Sequence, residues 1–192
     1  MKRKIILASG SPRRKELLSD CGVQFEVSVS GTPEARAGNE SPEAMGKRLA
    51  LAKALSVASK HPDAWVIGAD TDVYIDDNIL GKPTDVADAA RLLRKISGRT
   101  HSVWGAYAVV CIEAGIQKVV AHETKVTMAH IPDALIQGYV ASGEPMDKAG
   151  AYAAQGLGAQ FIERVDGSFT NVVGLNICAL MQTLRELHVI PS

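Results

Sequence analysis

Ile5-Ile-Leu-Ala-Ser-Gly-Ser-Pro-Arg-Arg14 puts a short apolar run, a tight turn and a doubly basic segment into one continuous stretch. Ile5, Ile6 and Leu7 suit a strand covered on both faces. Ser9 and Gly10 break that run. Ser11 can then cap a helix with its hydroxyl, and Pro12 fits the first helical turn, where its missing N–H has no partner to lose. The pattern predicts a helix over Pro12 to Asp20, with Leu17 and Leu18 facing inward and Gly22 ending it. Arg13 and Arg14 fall in its first turn, where the helix dipole disfavours cations. An anionic ligand reverses that balance, because exposed N–H groups and forked guanidiniums together seat a phosphate. The same residues also read as two solvated arginines at an ordinary helix end.

Working outward, Val23 to Val29 alternates as a strand, and Gly31 to Glu40 is a polar loop carrying Glu34 and Arg36. Ser41-Pro42 opens a helix reaching about Ser59, with an apolar stripe through Met45, Leu49, Ala52 and Ser56. Lys53 falls at the edge of that stripe, either leaning over a cleft or snorkelling at the surface. A strand is expected over Ala64 to Val73, with Trp65, Val66 and Ile67 buried and Asp70-Thr71-Asp72 at its carboxyl end. That position commonly faces the ligand crevice of an α/β sheet.

Asp76-Asp77-Asn78 reads as a hairpin turn leading to Ile79-Leu80, Gly81-Lys82-Pro83 and a helix from Thr84 to Ile96 closed by Gly98. Two long strands follow, His101 to Ile112 and Gln117 to Met128, joined at Gly115. Pro132 opens a helix ending at Gly143. Gly143 to Gly158 has no period and reads as a polar loop containing Asp147, Lys148, Tyr152 and Gln155. A strand over Ala159 to Val165 and a last helix over Gly174 to Leu187, packing Leu175, Leu180, Met181 and Leu184 on the sheet, complete an α/β pattern.

Composition narrows the partners. Apolar residues make up 46% and charged residues 22%, an ordinary globular balance. Lys plus Arg and Asp plus Glu both number 21, so no global field draws the chain to nucleic acid or an anionic membrane. Cys21, Cys111 and Cys178 are odd in number and widely spaced, which disfavours a disulfide scaffold or a cysteine zinc site. Basic Lys2, Arg3 and Lys4 precede an apolar run too short for a signal peptide. These features lead us to expect a soluble cytoplasmic protein with residues 1–192 as a single domain.

The candidate chemistry rests on four cations near turns, Arg13, Arg14, Lys53 and Lys82, and on the carboxylates of Glu34, Asp70 and Asp72. Cations can hold phosphoryl oxygens while carboxylates bind a hard divalent ion or take a proton from water. Trp65 to Val73 also fits the strand-then-D-x-D pattern of haloacid dehalogenase-type phosphatases, with Asp70 as nucleophile. Against that reading, the strand is not the first in the chain and no later Gly-Asp-x-x-x-Asp supplies the second acidic pair. His61, His101, His122, His130 and His188 lack ligand spacing, and no P-loop or dinucleotide fingerprint follows a strand.

Leu7 to Arg14, Gly68-Ala-Asp-Thr71, Ile79-Leu-Gly-Lys-Pro83, Leu93 to Gly98 with His101, Asp147 to Tyr152 with Gln155-Gly156, and Gly167-Ser168 with Asn171 to Leu175 together resemble the Maf family of nucleoside triphosphate pyrophosphatases. The resemblance implies a mixed twisted central sheet flanked by helices, Maf/ITPase-like, with a ligand cleft between two lobes. It further implies hydrolysis of a nucleoside triphosphate to the monophosphate and pyrophosphate with a divalent cation, Mg²⁺ or Mn²⁺, held by Glu34 and Asp70. Asp70, Glu34, Lys53 and Lys82 are the implied catalytic set, and Ser9, Arg13, Arg14, Thr71 and Gln155 the implied substrate contacts. Ser11-Pro12-Arg13-Arg14 with Thr71 and Gln155 resembles the branch acting on dTTP and UTP; a 7-methyl-GTP branch carries Trp after the proline and Glu in place of the glutamine. A homodimer is the implied assembly. The family's association with septum formation leaves a non-catalytic nucleotide-sensing or interaction module as the alternative. Asp72 and Asn176 depart from the family pattern, which usually has an apolar residue and a proline there.

Overall fold

The computed structural model describes residues 3–34 and 37–191. Lys2 and Arg36 lie outside the described residues. The elements in order are β1 (Ile5–Leu7), α1 (Pro12–Asp20), β2 (Glu26–Val27), α2 (Pro42–Ala58), β3 (Trp65–Ile75), β4 (Asn78–Leu80), α3 (Val86–Ile96), β5 (Thr100–Cys111), β6 (Ile116–Met128), α4 (Asp133–Ala141), β7 (Ile162–Asp166), α5 (Phe169–Val173) and α6 (Ile177–Glu186). They form two compact units: unit 1 is Met1–Asp70, Gly105–His122 and Gly174–Ser192, and unit 2 is Thr71–Trp104 and Glu123–Val173. The expected mixed sheet is present, since β1 pairs in parallel with β2 and β3, whereas β3–β4 and β6–β7 are antiparallel.

Unit 1 shows why the opening run must be apolar at every position. Ile5 and Leu7 point to one face, where they meet Ile67, Tyr107 and Val109 together with Leu18 of α1 and Leu180 and Leu184 of α6. Ile6 and Ala8 point to the other, against Val66, Ala106 and Ala108 and against Ala50, Ala54 and Val57 of α2. The period-2 alternation of a strand thus feeds two helical layers. Complete burial of a side chain such as Leu18 contributes about 1.5–3 kcal/mol. On the α2 face alanines and a glycine predominate where helix and strand nearly touch. A Cβ on Gly68 would lie 2.2 Å from the Ala50 carbonyl oxygen and 2.7 Å from the Ala54 nitrogen, so only glycine fits there.

Unit 2 has its own core, in which Val73, Ile75 and Leu80 pack with Leu92, Leu93 and Ile96 of α3, Ile136, Tyr139 and Val140 of α4, and Tyr152 and Phe161. Caps at several helix starts follow local rules: Ser41 accepts from Ala44 N, Asp85 from Asp88 N and Asn176 from Ala179 N. The unusual Asn176 is therefore the N-cap of α6.

Several expectations need correction. The strand expected over Val23 to Val29 is reduced to Glu26–Val27, because only these residues find a ladder beside β1. Asp70 to Asp72 sit in the middle of β3, not at its end, because the strand runs on to Ile75 and turns through Asp76 and Asp77, both at positive φ. Trp65 is half-buried. α3 starts at Val86, where the Asp85 side chain caps it, rather than at Thr84. The segment after Gly143 is a packed run of 3₁₀ turns at Glu144–Asp147, Ala149–Ala151 and Leu157–Phe161, which delays β7 to Ile162. A short helix α5 precedes the last one, which begins at Ile177 rather than Gly174.

Candidate active site

The chemistry-bearing centre of unit 1 grows out of the Gly68 contact. Gly68 and Asp70 are two apart on β3 and share the face that α2 covers. Close approach of α2 at Gly68 brings Lys53 onto that face one helical turn from Leu49 and next to Ala54. Met45, Gly46, Leu49, Ala50, Lys53, Ala54, Val57 and Ala58 make up the buried side of α2. The stripe therefore lies beside the one expected through Ala52 and Ser56, and Lys53 is inside it with only 6% of its surface exposed, neither at its edge nor at the protein surface.

A buried ammonium requires anionic company. Lys53 Nζ donates to Asp70 Oδ1 at 2.7 Å and pairs with Glu34 Oε1 at 2.5 Å. Asp70 is as buried as Lys53, whereas Glu34 reaches in from the exposed loop. The second Asp70 oxygen, Oδ2, is buried and accepts no hydrogen bond from the described residues. An unsatisfied carboxylate oxygen in an interior calls for a partner, and a water proton or a hard cation supplies one. Arg48, one helical turn before Ala52 on α2, grips Glu40 with Nε 2.9 Å from Oε2 and a second contact from Nη2 to Oε1. Its pKa is raised further by that hydrogen bond and, more weakly, by the charges of Glu40 and Asp70. Arg48 was not apparent from the sequence, where nothing links it to Glu40 or Asp70.

The opening stretch forms a second cluster in the same unit. Ser11 occupies the N-cap position of α1, but its hydroxyl makes no cap bond, contrary to expectation. The Ser9 hydroxyl instead accepts from Ser11 N at 3.2 Å and from Arg14 Nη1 at 3.2 Å. Arg14 Nη1 also donates to the Ala69 carbonyl at 3.0 Å and Arg14 Nε to the Gly174 carbonyl at 2.9 Å. Arg14 thus fixes the backbone immediately before Asp70, a task its position in sequence does not reveal. Arg13 is half-buried on the same turn.

The remaining candidates belong to unit 2. Thr71 and Asp72 are half-buried on β3, Lys82 is exposed between β4 and α3, and Gln155 is exposed between two 3₁₀ turns. Among the described residues no group of three or more His, Cys, Asp or Glu side chains could hold a metal. The three cysteines are unpaired with one another.

His101 has a structural place. It is buried in unit 2 with Nε2 hydrogen-bonded to Tyr152 Oη at 2.8 Å, and desolvation lowers its pKa to about 4. An unfolded histidine titrates near 6.5. The folded state thus holds His101 neutral while the unfolded state takes up a proton, so this contribution is full above about pH 6.5 and is lost as pH falls toward 4. The loss reaches about 3 kcal/mol at the acid end. Urea denaturation at about pH 7 and about pH 4.5 should show a smaller decrease for His101→Asn than for the wild-type chain; equal decreases would assign the acid lability to other groups.

The Maf family profile, described as Maf-like protein, matches residues 4–187. The chain belongs to the Maf family. Among Maf relatives, a dTTP/UTP pyrophosphatase of Geobacter sulfurreducens is 48% identical over 186 residues, covering 97% of each chain. One of Desulfotalea psychrophila is 44% identical over 188 residues, covering 98% of this chain and 96% of the relative. One of Bacillus cereus is 45% identical over 188 residues, covering 97% of each. Of solved structures, the Staphylococcus aureus Ham1 protein superposes with a TM-score of 0.51 over 97% of this chain and all of that one, at 16% identity. That likeness bears on the fold alone. The haloacid dehalogenase-type reading gives way, since the full-length match is to nucleotide pyrophosphatases.

Proposed function

We propose that this Maf protein hydrolyses dTTP and UTP to the nucleoside monophosphate and pyrophosphate. The observation that carries the reading is the buried Lys53 held between Asp70 and Glu34, with Asp70 Oδ2 given no donor by the described residues. Binding alone has no use for carboxylates beside phosphates, whereas hydrolysis needs a base. Asp70 Oδ2 takes a proton from water as the water oxygen bonds to phosphorus and the α–β anhydride P–O bond breaks, releasing pyrophosphate. Lys53 keeps Asp70 oriented and offsets its charge. Ser9, Arg13 and Arg14 receive phosphate oxygens near the uncapped start of α1. Lys82 is assigned to the phosphates, and Thr71 and Gln155 to substrate contact, by the resemblance. The Gln155 carboxamide offers both a donor and an acceptor to a pyrimidine edge.

The donor set suits a divalent cation. Asp70 and Glu34 are hard oxygen ligands, and Mg²⁺ or Mn²⁺ is commonly held by one or two carboxylates together with substrate phosphates and water. A cation bound there supplies neutralisation of phosphoryl charge. We further propose that both units act as one Maf domain, as a homodimer, in the cytoplasm. The zero net charge and the lack, among the described residues, of a helix long and apolar enough to cross a membrane are compatible with free nucleotides as substrates.

Incubation with a panel of nucleoside triphosphates and Mg²⁺, followed by separation of products, tests the reading. Pyrophosphate with dTMP or UMP is expected. Orthophosphate with a diphosphate would refute it, and tight binding without turnover would favour the nucleotide-sensing module.

A further inference from the structure

The segment carrying Gln155 is wrapped around two polar side chains, the buried Tyr139 and the half-buried Glu144. Tyr139 of α4 donates its hydroxyl to Glu144 Oε2 at 2.7 Å and accepts from Ala153 N at 3.0 Å. Glu144 in turn accepts from Leu157 N through Oε1 at 2.9 Å and from Gly158 N through Oε2 at 2.9 Å. Backbone groups on both sides of Gln155 are therefore tied to one Tyr–Glu pair, with Gln155 exposed at the crest between them. The fit is close. Gly156 has φ +110, and a Cβ there would lie 2.3 Å from Glu144 Oε1; a Cβ on Gly158 would lie 2.6 Å from Tyr139 Oη. Tyr139 is itself fixed by an edge contact with Phe161, ring centroids 5.2 Å apart.

The pair is poised to stay in this form. Burial opposes ionisation of Glu144, but the bonds from Tyr139, Leu157 and Gly158 and the nearby Lys148 charge outweigh it and hold its carboxyl below the usual range. Burial, with the Glu144 carboxylate as acceptor, pushes the Tyr139 phenol up. At neutral pH one carboxylate thus takes three donors, a stronger tie than neutral hydrogen bonds provide.

We propose that Tyr139 and Glu144 are positioning residues for base selection, clamping the Ala153–Gly158 backbone so that the Gln155 carboxamide is presented in one orientation. The proposal rests on the reading that Gln155 meets the pyrimidine. A hydrogen-bonding site discriminates strongly only when its donors and acceptors are held in place. Neither Tyr139 nor Glu144 touches the substrate in this scheme.

The test compares kcat/KM for UTP and CTP in the full-length wild type, Tyr139→Phe, Glu144→Gln, Gln155→Ala and the double variant Glu144→Gln/Gln155→Ala. Tyr139→Phe and Glu144→Gln should each lower the UTP-over-CTP preference by about tenfold, mainly through KM for UTP. Adding Glu144→Gln to Gln155→Ala should lower it no further, since the clamp acts through a carboxamide that is already gone. A preference lost in Gln155→Ala but intact in both clamp variants would overturn the proposal while leaving the role of Gln155 standing. An unchanged preference in Gln155→Ala would overturn the role of Gln155 and the clamp with it. Tyr139→Phe keeps the ring that packs on Phe161, so it tests the hydroxyl without emptying the core should Glu144→Gln fold poorly.

Discussion

Asp70→Asn lowers kcat for UTP hydrolysis by about 10²–10⁴-fold with the fold intact, if Asp70 takes the water proton as proposed. The amide preserves the size of the side chain and can still accept from Lys53 Nζ through its oxygen. It puts an NH₂ group where Oδ2 now has no donor among the described residues, so a buried acceptor open to water is replaced by a donor. Steady-state release of pyrophosphate measures the loss, and circular dichroism confirms that the chain remains folded. Unreduced kcat in Asp70→Asn would remove Asp70 as the base.

Lys53→Met costs about 3–5 kcal/mol of stability, because it leaves the Asp70 carboxylate buried without its charge partner. Methionine keeps nearly the length of the side chain, so the effect is electrostatic rather than a cavity. Glu34 gives the contrast: its side chain is 62% exposed, and Glu34→Gln should cost no more than about 1 kcal/mol. Urea denaturation of both variants separates the cases, with a lowered midpoint and unchanged slope expected for Lys53→Met. Combining Lys53→Met with Asp70→Asn should recover part of the loss, since the stranded charge is then gone. Equal stability of Lys53→Met and Glu34→Gln would show that the Lys53–Asp70 pair is not needed to hold α2 on β3.

Local chemistry was legible where the cause was local. Ser41-Pro42 opens α2 because serine caps Ala44 N and proline has no N–H to strand, and Asp76-Asp77 turns β3 into β4 because a two-residue hairpin needs positive φ. The all-apolar Ile5–Leu7 run marks a strand with a helical layer on each face. The segment from 143 to 158 was opaque for the converse reason. Its order comes from Tyr139 and Glu144 gripping backbone N–H groups, and short 3₁₀ turns leave no period in the sequence.

The sequence by itself determined the kinds of element, the sharp turn that leads into the paired arginines, and the inventory of cations and carboxylates. These follow from periodicity, caps and charge within a few residues. Only the tertiary structure decided that Lys53 is inside the protein against Asp70, that Gly68 must be glycine, and that Arg14 spans to Gly174, 160 residues away. The first two of these depend on how near one helix can come to one strand. That distance is set by the side chain missing from Gly68, by the small methyls of Ala50 and Ala54 and by their packing partners, and no single stretch of sequence contains it.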